Sequence, residues 1–262
     1  MTDDTARLAD RVVLVSGGTQ GVGAAVARAA AAAGAAVAVT GRRPEVGAAL
    51  VDELRAGGAH ASYQRCDVAD VADARAAVRA VLDEHGRVDC LVNAAGLTSR
   101  GSLLDTTPEL FDEHIAINLR GPFFLMQAVV ADLVSRGAPG SIVNIISSSE
   151  LGGQPYLAPY VAAKAGLAGL TRNAAHAHRW DRIRINGLDI GWTDTEGEDL
   201  SQRRFHDADE GWRERAGKAL PMGRLGRAED VAEFVVFLLS DRSGVVTGSI
   251  LDWDQNVLGG LD

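Results

Sequence analysis

At 262 residues and 27.4 kDa, the chain is long enough to bury an extensive core in one large α/β domain and needs no second one. Hydrophobic residues make up 47% and charged residues 23%, a balance that excludes a fibre or a disordered chain. The formal charge of −9 argues against a nucleic-acid surface, which needs an excess of Lys and Arg to meet phosphates.

The start, Met1-Thr2-Asp3-Asp4-Thr5, is polar and acidic and lacks the cationic, then apolar, layout of a secretory signal. Residues 1–10 read as a tail. Even the Ala-rich segment near residue 30 is interrupted by Arg28 and Gly34, so no apolar stretch reaches the roughly eighteen residues of a membrane span. The expectation is a cytoplasmic protein with no membrane partner. Cys66 and Cys90 have no Cys or His companions at metal-ligand spacing, so both are expected to be reduced and structural, with no disulfide and no metal.

Along the chain, short apolar runs at 12–15, 37–39, 91–92, 142–146, 183–185 and 250–251 alternate with Ala-rich, helix-like stretches. Repeated βαβ units follow, and runs that stay apolar throughout fit a parallel sheet covered by helices on both faces. The predicted fold is a doubly wound α/β sandwich. Directly after the first run comes Ser16-Gly17-Gly18-Thr19-Gln20-Gly21-Val22-Gly23, and then a helix. Glycines allow close backbone approach, and the free N–H groups of a helix start suit a pyrophosphate. Strand before and helix after make this a dinucleotide turn.

The second run ends in Thr40-Gly41-Arg42-Arg43, where a carboxylate would otherwise accept from an adenosine ribose. Gly41 leaves room for a 2′-phosphate, and Arg42, with Arg43 beside it, offers a permanently charged guanidinium. NADP(H) is therefore favoured over NAD(H). Asp70 is a candidate N-cap for a helix over 71–85, with Gly86 as its stop. Residues 194–218 interrupt the pattern with a dense run of Asp, Glu and Arg around Phe205 and Trp212, and the segment 194–220 reads as a substrate lid ahead of a helix over 228–239.

Ser147 closes the run at 142–146, and Tyr160-Val161-Ala162-Ala163-Lys164 follows it. On a helix, side chains four apart project from one face. A phenol and an ammonium placed so suit proton transfer to a carbonyl or alcohol oxygen, provided the ammonium pulls the phenol below its usual pKa of about 10.

With the glycine turn, Asn93-Ala94-Ala95-Gly96, Asn118, Ser147 and Tyr160-x-x-x-Lys164 in this order, the chain resembles a classical short-chain dehydrogenase/reductase over nearly its whole length. The match continues through Ile183-Arg184-Ile185-Asn186, Leu220-Pro221-Met222-Gly223-Arg224 and Val246-Thr247-Gly248. The resemblance implies a single Rossmann domain over 1–262, a parallel sheet of about seven strands, and a homotetramer or dimer that interconverts small-molecule carbonyls and alcohols with NADP(H) or NAD(H). By resemblance, Tyr160 would be the general acid/base, Lys164 would hold the nicotinamide ribose and favour tyrosinate, Ser147 would bind the substrate oxygen, and Asn118 would anchor a water chain. Asp67 with Val68 would meet the adenine, with a plain helix cap as the rival reading of Asp67. Asn93 and Gly96 would pass near the adenosine ribose, and Thr195 would hold the carboxamide.

Glu150, Leu151, Gln154 and Tyr156 would line the substrate pocket, with Trp192 across from them. Three departures stand out. Ile190-Gly191-Trp192 replaces the family's Pro-Gly, which predicts a less rigid loop. Asn93-Ala94-Ala95-Gly96 replaces Asn-Asn-Ala-Gly, and Asp254-Gln255-Asn256 replaces an Asp-Gly-Gly turn. The alternatives left open are an NAD-dependent sugar or polyol dehydrogenase and a cofactor-binding regulator that has lost turnover.

Overall fold

The computed structural model describes residues 7–257. Its frame is a seven-stranded sheet built from β1 (Val12–Ser16), β2 (Ala36–Gly41), β3 (Ala61–Arg65), β4 (Cys90–Asn93), β5 (Gly140–Ile145), β6 (Ile183–Ile190) and, last in the chain, β9 (Ile250–Trp253). The order is β3-β2-β1-β4-β5-β6-β9, and every neighbouring pair is parallel. Two further strands of two residues each, β7 (Thr193–Asp194) and β8 (Gly226–Arg227), pair with one another outside this sheet.

Apolar residues on both faces of a strand need cover on both sides, and the helices supply it. Along β1, Val13 and Val15 enter the layer formed by α1 (Gly21–Ala32), α2 (Pro44–Ala56) and α9 (Ala228–Leu239), while Val12 and Leu14 enter the opposite one. The second layer contains α3 (Val71–His85), α5 (Gly121–Arg136) and α6 (Ala158–His178). A helix over 71–85 forms as expected: Asp70 Oδ1 accepts from the N–H groups of Ala72 and Asp73 at 2.7 and 3.2 Å, and Gly86 ends it at φ +76°. The strand order reverses at β1 and β4, and a crevice opens there beyond the carboxyl ends of the strands.

Three features bear on the expectations. β3 has the sequence ASYQR and no apolar run, because an edge strand buries only part of its surface. Within the expected 1–10 tail, of which residues 1–6 lie outside the described residues, Leu8 is 1% exposed in the α1 layer, and its N–H donates to Ala33 O at 2.8 Å. Residues 108–136 form one continuous helical stretch, α4 (Pro108–Ile115), a π-turn (Ala116–Arg120) and α5, long and apolar enough to cross a membrane by length and composition. Its apolar window, with a mean hydropathy of 1.3, is half buried, through Leu125, Val129 and Leu133 against the sheet.

Candidate active site

The crevice is a cleft of about 1190 Å³. One end is made by the glycine turn and the tip of β2. Gly17 has φ +70°, and a Cβ there would stand 2.6 Å from the Ala95 backbone; a Cβ on Gly23 would stand 2.2 Å from Gly17 O. The turn thus packs on itself while its other side faces the cleft. Gln20 precedes α1 without capping it, so the first N–H groups of the helix are left for another acceptor. Its amide oxygen instead accepts from Arg43. Arg42 is exposed at the cleft edge and has no hydrogen bond or ion pair among the described residues. A Cβ on Gly41 would run into Thr19 Oγ1 at 2.8 Å: the Thr19 side chain packs directly on the bare backbone there.

Asp67 and Val68 line the cleft. Asp67 Oδ1 accepts from Ala69 N–H at 3.1 Å, a local turn, and the cap of α3 belongs to Asp70. Thr195 also lines the cleft and caps α7 (Glu196–Phe205) by accepting from Glu198 N–H at 3.1 Å. Gly21 lies close by: a Cβ there would be 3.5 Å from Thr195 Cβ. These features fit a dinucleotide.

At the other end, Ser147, Tyr160 and Lys164 share one wall. Ser147 leaves β5 and caps a 3-10 turn (Ser148–Leu151), accepting from Ser149 N–H at 3.3 Å. The Tyr160 phenol hydrogen-bonds Ser147. Lys164 Nζ donates to Ile145 O at 2.8 Å and lies 5.7 Å from the Tyr160 ring centroid. Burial pushes Tyr160 up to about 12, and the Ser147 hydrogen bond only partly opposes it. Burial likewise lowers Lys164 to about 8. In the chain by itself the phenol therefore stands above its usual 10, where a phenol pulled below it was expected: desolvation raises it, and Lys164 is not among the groups that act against that rise.

Asn118, Asn93 and Glu150 stand outside the cleft lining. Asn118 lies on the π-turn, a helical irregularity frequent at functional sites, fully buried behind Leu97. Its Oδ1 accepts from Leu97 N–H at 2.9 Å, and its Nδ2 donates to Leu97 O at 3.0 Å and to His114 Nδ1 at 3.2 Å. His114 is in turn held by Ser99, and its ring meets that of Tyr160 edge-on at 6.2 Å. Asn93 Nδ2 donates to Asn144 Oδ1 at 2.8 Å, and Asn144 Nδ2 donates to Thr171 Oγ1 at 2.8 Å, a buried chain that pins α6 to the sheet. Glu150 is absent from the cleft lining, and its charge acts on Asp189. His114, Asn144 and Thr171 had no sequence signal, since each matters only through its partner.

Gln154, Tyr156 and Trp192 do line the cleft. Trp192 Nε1 donates to Glu198 Oε1 at 2.8 Å, and its ring stacks on Trp212 at 6.0 Å. Arg100, which sequence reasoning missed, lies over the rings of Tyr156 and Phe205 at 5.3 and 5.5 Å and donates to His206. Among the described residues it has no carboxylate partner.

A family model described as enoyl-(acyl carrier protein) reductase matches residues 17–256. An A-factor type gamma-butyrolactone 1′-reductase (1S-forming) of Streptomyces virginiae is 37% identical over 255 residues, with 96% of each chain covered. The chain belongs to the short-chain dehydrogenase/reductase family. An L-rhamnose 1-dehydrogenase (NAD(P)(+)) of Azotobacter vinelandii is 36% identical, covering 93% of this chain and 95% of its own. The structure of an actinorhodin polyketide ketoreductase variant with NADPH superposes with a TM-score of 0.89 at 31% identity, covering 94% of this chain and 96% of that one. The protein is thus an NAD(P)-dependent oxidoreductase of this family.

Within the family frame, its departures have visible consequences. Ile190, free of proline's restrictions, lets β6 run on and pair with Trp253, and Gly191 N–H donates to Trp253 O at 3.2 Å. The segment expected to be loose is hydrogen-bonded. In place of the usual turn, Gln255 accepts from Met222 N–H and donates to Arg224 O, both at 2.8 Å.

Proposed function

We propose that this enzyme reduces a ketone or aldehyde to the alcohol, and runs the reverse reaction, with NADP(H) as cofactor. The observation that carries this reading is one cleft with Ser147, Tyr160 and Lys164 at one end and carboxylate-free Arg42 and Arg43 at the other. The glycine turn and the α1 start would hold the pyrophosphate, the two arginines the 2′-phosphate, and Lys164 and Thr195 the nicotinamide half. Bound there, the nicotinamide supplies or accepts the hydride. The chain's own residues do the rest. Ser147 orients the substrate oxygen, and Tyr160, held as the neutral phenol by burial, donates its proton to that oxygen in reduction. Lys164 offsets the negative charge left on Tyr160, and Asn118 steadies the backbone at Leu97 that borders the site.

The substrate side pairs the apolar rings of Tyr156 and Trp192 with the polar groups of Gln154 and Arg100, which suits a carbonyl compound with an apolar body and further oxygens. The named relatives, acting on a butyrolactone, a sugar and a polyketide, agree with that class. α7 and the residues up to Leu220 serve as the lid. Turnover is tested by following NADPH and NADH absorbance across ketones, lactones and sugars. Arg42→Asp should lower the NADPH to NADH preference at least tenfold, the scale of a lost charge-assisted contact; an unmoved ratio refutes the NADP(H) assignment.

A further inference from the structure

Asp189 is 1% exposed near the end of β6, and its Oδ1 has no hydrogen-bond partner. An unpartnered buried carboxyl oxygen is costly. The charges of Glu150 on the 3-10 turn, Asp252 on β9 and Asp254 beyond it add like-charge repulsion. For folding, an apolar side chain would serve better at this position.

The register shows what the carboxyl faces. Leu188 pairs with Ile145, the residue whose carbonyl accepts from Lys164 Nζ, and Asp189 follows it. Side chains alternate along a strand. Leu188 packs in the α1 layer, whereas a Cβ on Gly187 would meet Ile146 and Ile250, which pack with Leu167 and Ala168 of α6. Asp189 therefore faces α6, where Lys164 lies one turn before Leu167 and Ala168. Lys164 carries three N–H donors; among the described residues one is used, by Ile145 O. An acid with a free acceptor and an ammonium with free donors thus face the same layer between β6 and α6, without the close contact of an ion pair among the described residues. Their charges act on each other: burial lowers Lys164 and Asp189 opposes that shift, while burial and the three carboxylates raise Asp189 to about 7 and Lys164 opposes that one.

We propose that Asp189 is a positioning residue of this site: its carboxylate keeps Lys164 as the ammonium beside Tyr160 and so sets the upper pH limit of turnover. The kinetic half of this statement rests on the carbonyl-reductase reading above; the effect on Lys164 does not. Lys164 is charged below its pKa, so activity that needs the ammonium is present at lower pH and lost as pH rises through that value. Replacing the carboxylate by an amide removes the opposing charge, and the loss moves to lower pH.

Lys164 and Lys218 are the only lysines, so isotopically labelled lysine gives two side-chain NMR signals that a Lys218→Arg variant assigns. In the NADP⁺-bound protein, Asp189→Asn should lower the Lys164 midpoint by about one unit. Equal midpoints overturn the proposal, whatever the enzyme's substrate. Asp189→Ser gives the same readout if the amide disturbs folding. With a ketone that is turned over, the alkaline limb of kcat should move down by about one pH unit, about a tenfold loss on that limb, with the KM for NADPH unchanged. A stationary limb also overturns it. Absence of turnover on every carbonyl tried, with the NMR shift present, defeats the functional reading and leaves the Asp189–Lys164 pairing standing.

Discussion

The two ends of the cleft are built by different means. At the end proposed to hold the cofactor, backbone does the work: Gly17 at positive φ, Gly23 against Gly17 O, and a helix start with no side-chain cap. At the substrate end, side chains from distant segments hold one another: Trp192 with Glu198, Trp212 and Arg213 with Asp199, Arg213 with Asp194, and Gln255 with the backbone at Met222 and Arg224. Backbone demands can be met by few residue types, so the first end is constrained locally. A side-chain network can be rebuilt with other pairs, so the second end is where one member of the family can differ from another.

The sharpest way to break this comparison is Tyr160→Phe. It removes one hydroxyl from the substrate end, and kcat should fall at least the roughly 10²-fold typical of lost general acid catalysis, while NADPH affinity, read by fluorescence titration, stays as it was. Turnover at the wild-type rate would remove Tyr160 from the chemistry. A parallel collapse of NADPH binding would mean that the two ends are not separable.

The same division explains what could be read from the sequence. β1, its glycine turn and α1 were legible because a strand buried on both faces, a turn with crowded backbone and a helix start each restrict residue type locally. Asp70 and Gly86 were legible for the same reason. β3 was not, since ASYQR at a sheet edge is only half apolar. Ser147, Tyr160 and Lys164 were legible through spacing and order, yet their electrostatics were not: a sequence shows an ammonium beside a phenol but not the burial that raises one and lowers the other. Asp189 reads as one polar residue in a strand until the register and the packing of its neighbours turn it toward α6, the helix that carries Lys164. Arg100 looks like a loop residue until Tyr156, Phe205 and His206 surround it.

Asp199→Asn addresses the proposed lid. Asp199 Oδ1 accepts from Trp212 Nε1 at 2.7 Å and from Arg213 at 2.9 Å, and Oδ2 accepts from Arg203 at 2.9 Å. These hydrogen bonds hold its carboxyl below the ordinary carboxylate range, that of Trp212 contributing most. An amide keeps the shape but turns one acceptor into a donor that faces other donors. The KM for the carbonyl substrate should rise severalfold, with kcat and NADPH affinity little changed. A rise in the KM for NADPH instead would place α7 over the cofactor end.

The smallest effect belongs to a residue that serves neither end directly. Asp70 caps α3 on the sheet face opposite α1, and Asp70→Ala leaves the N–H groups of Ala72 and Asp73 without their acceptor. Losing such a cap costs about 1 kcal/mol, which in a chain of this size lowers Tm by about 2–4 °C. Asp67 and Val68, a short turn away, line the cleft at the end proposed for the adenosine. If the cap merely stabilises the helix, Tm falls and the Kd for NADPH holds. If α3 positions that turn, NADPH affinity falls in step with Tm while the KM for the carbonyl substrate does not. The two outcomes decide how far backbone order at the cofactor end depends on the helix that follows it.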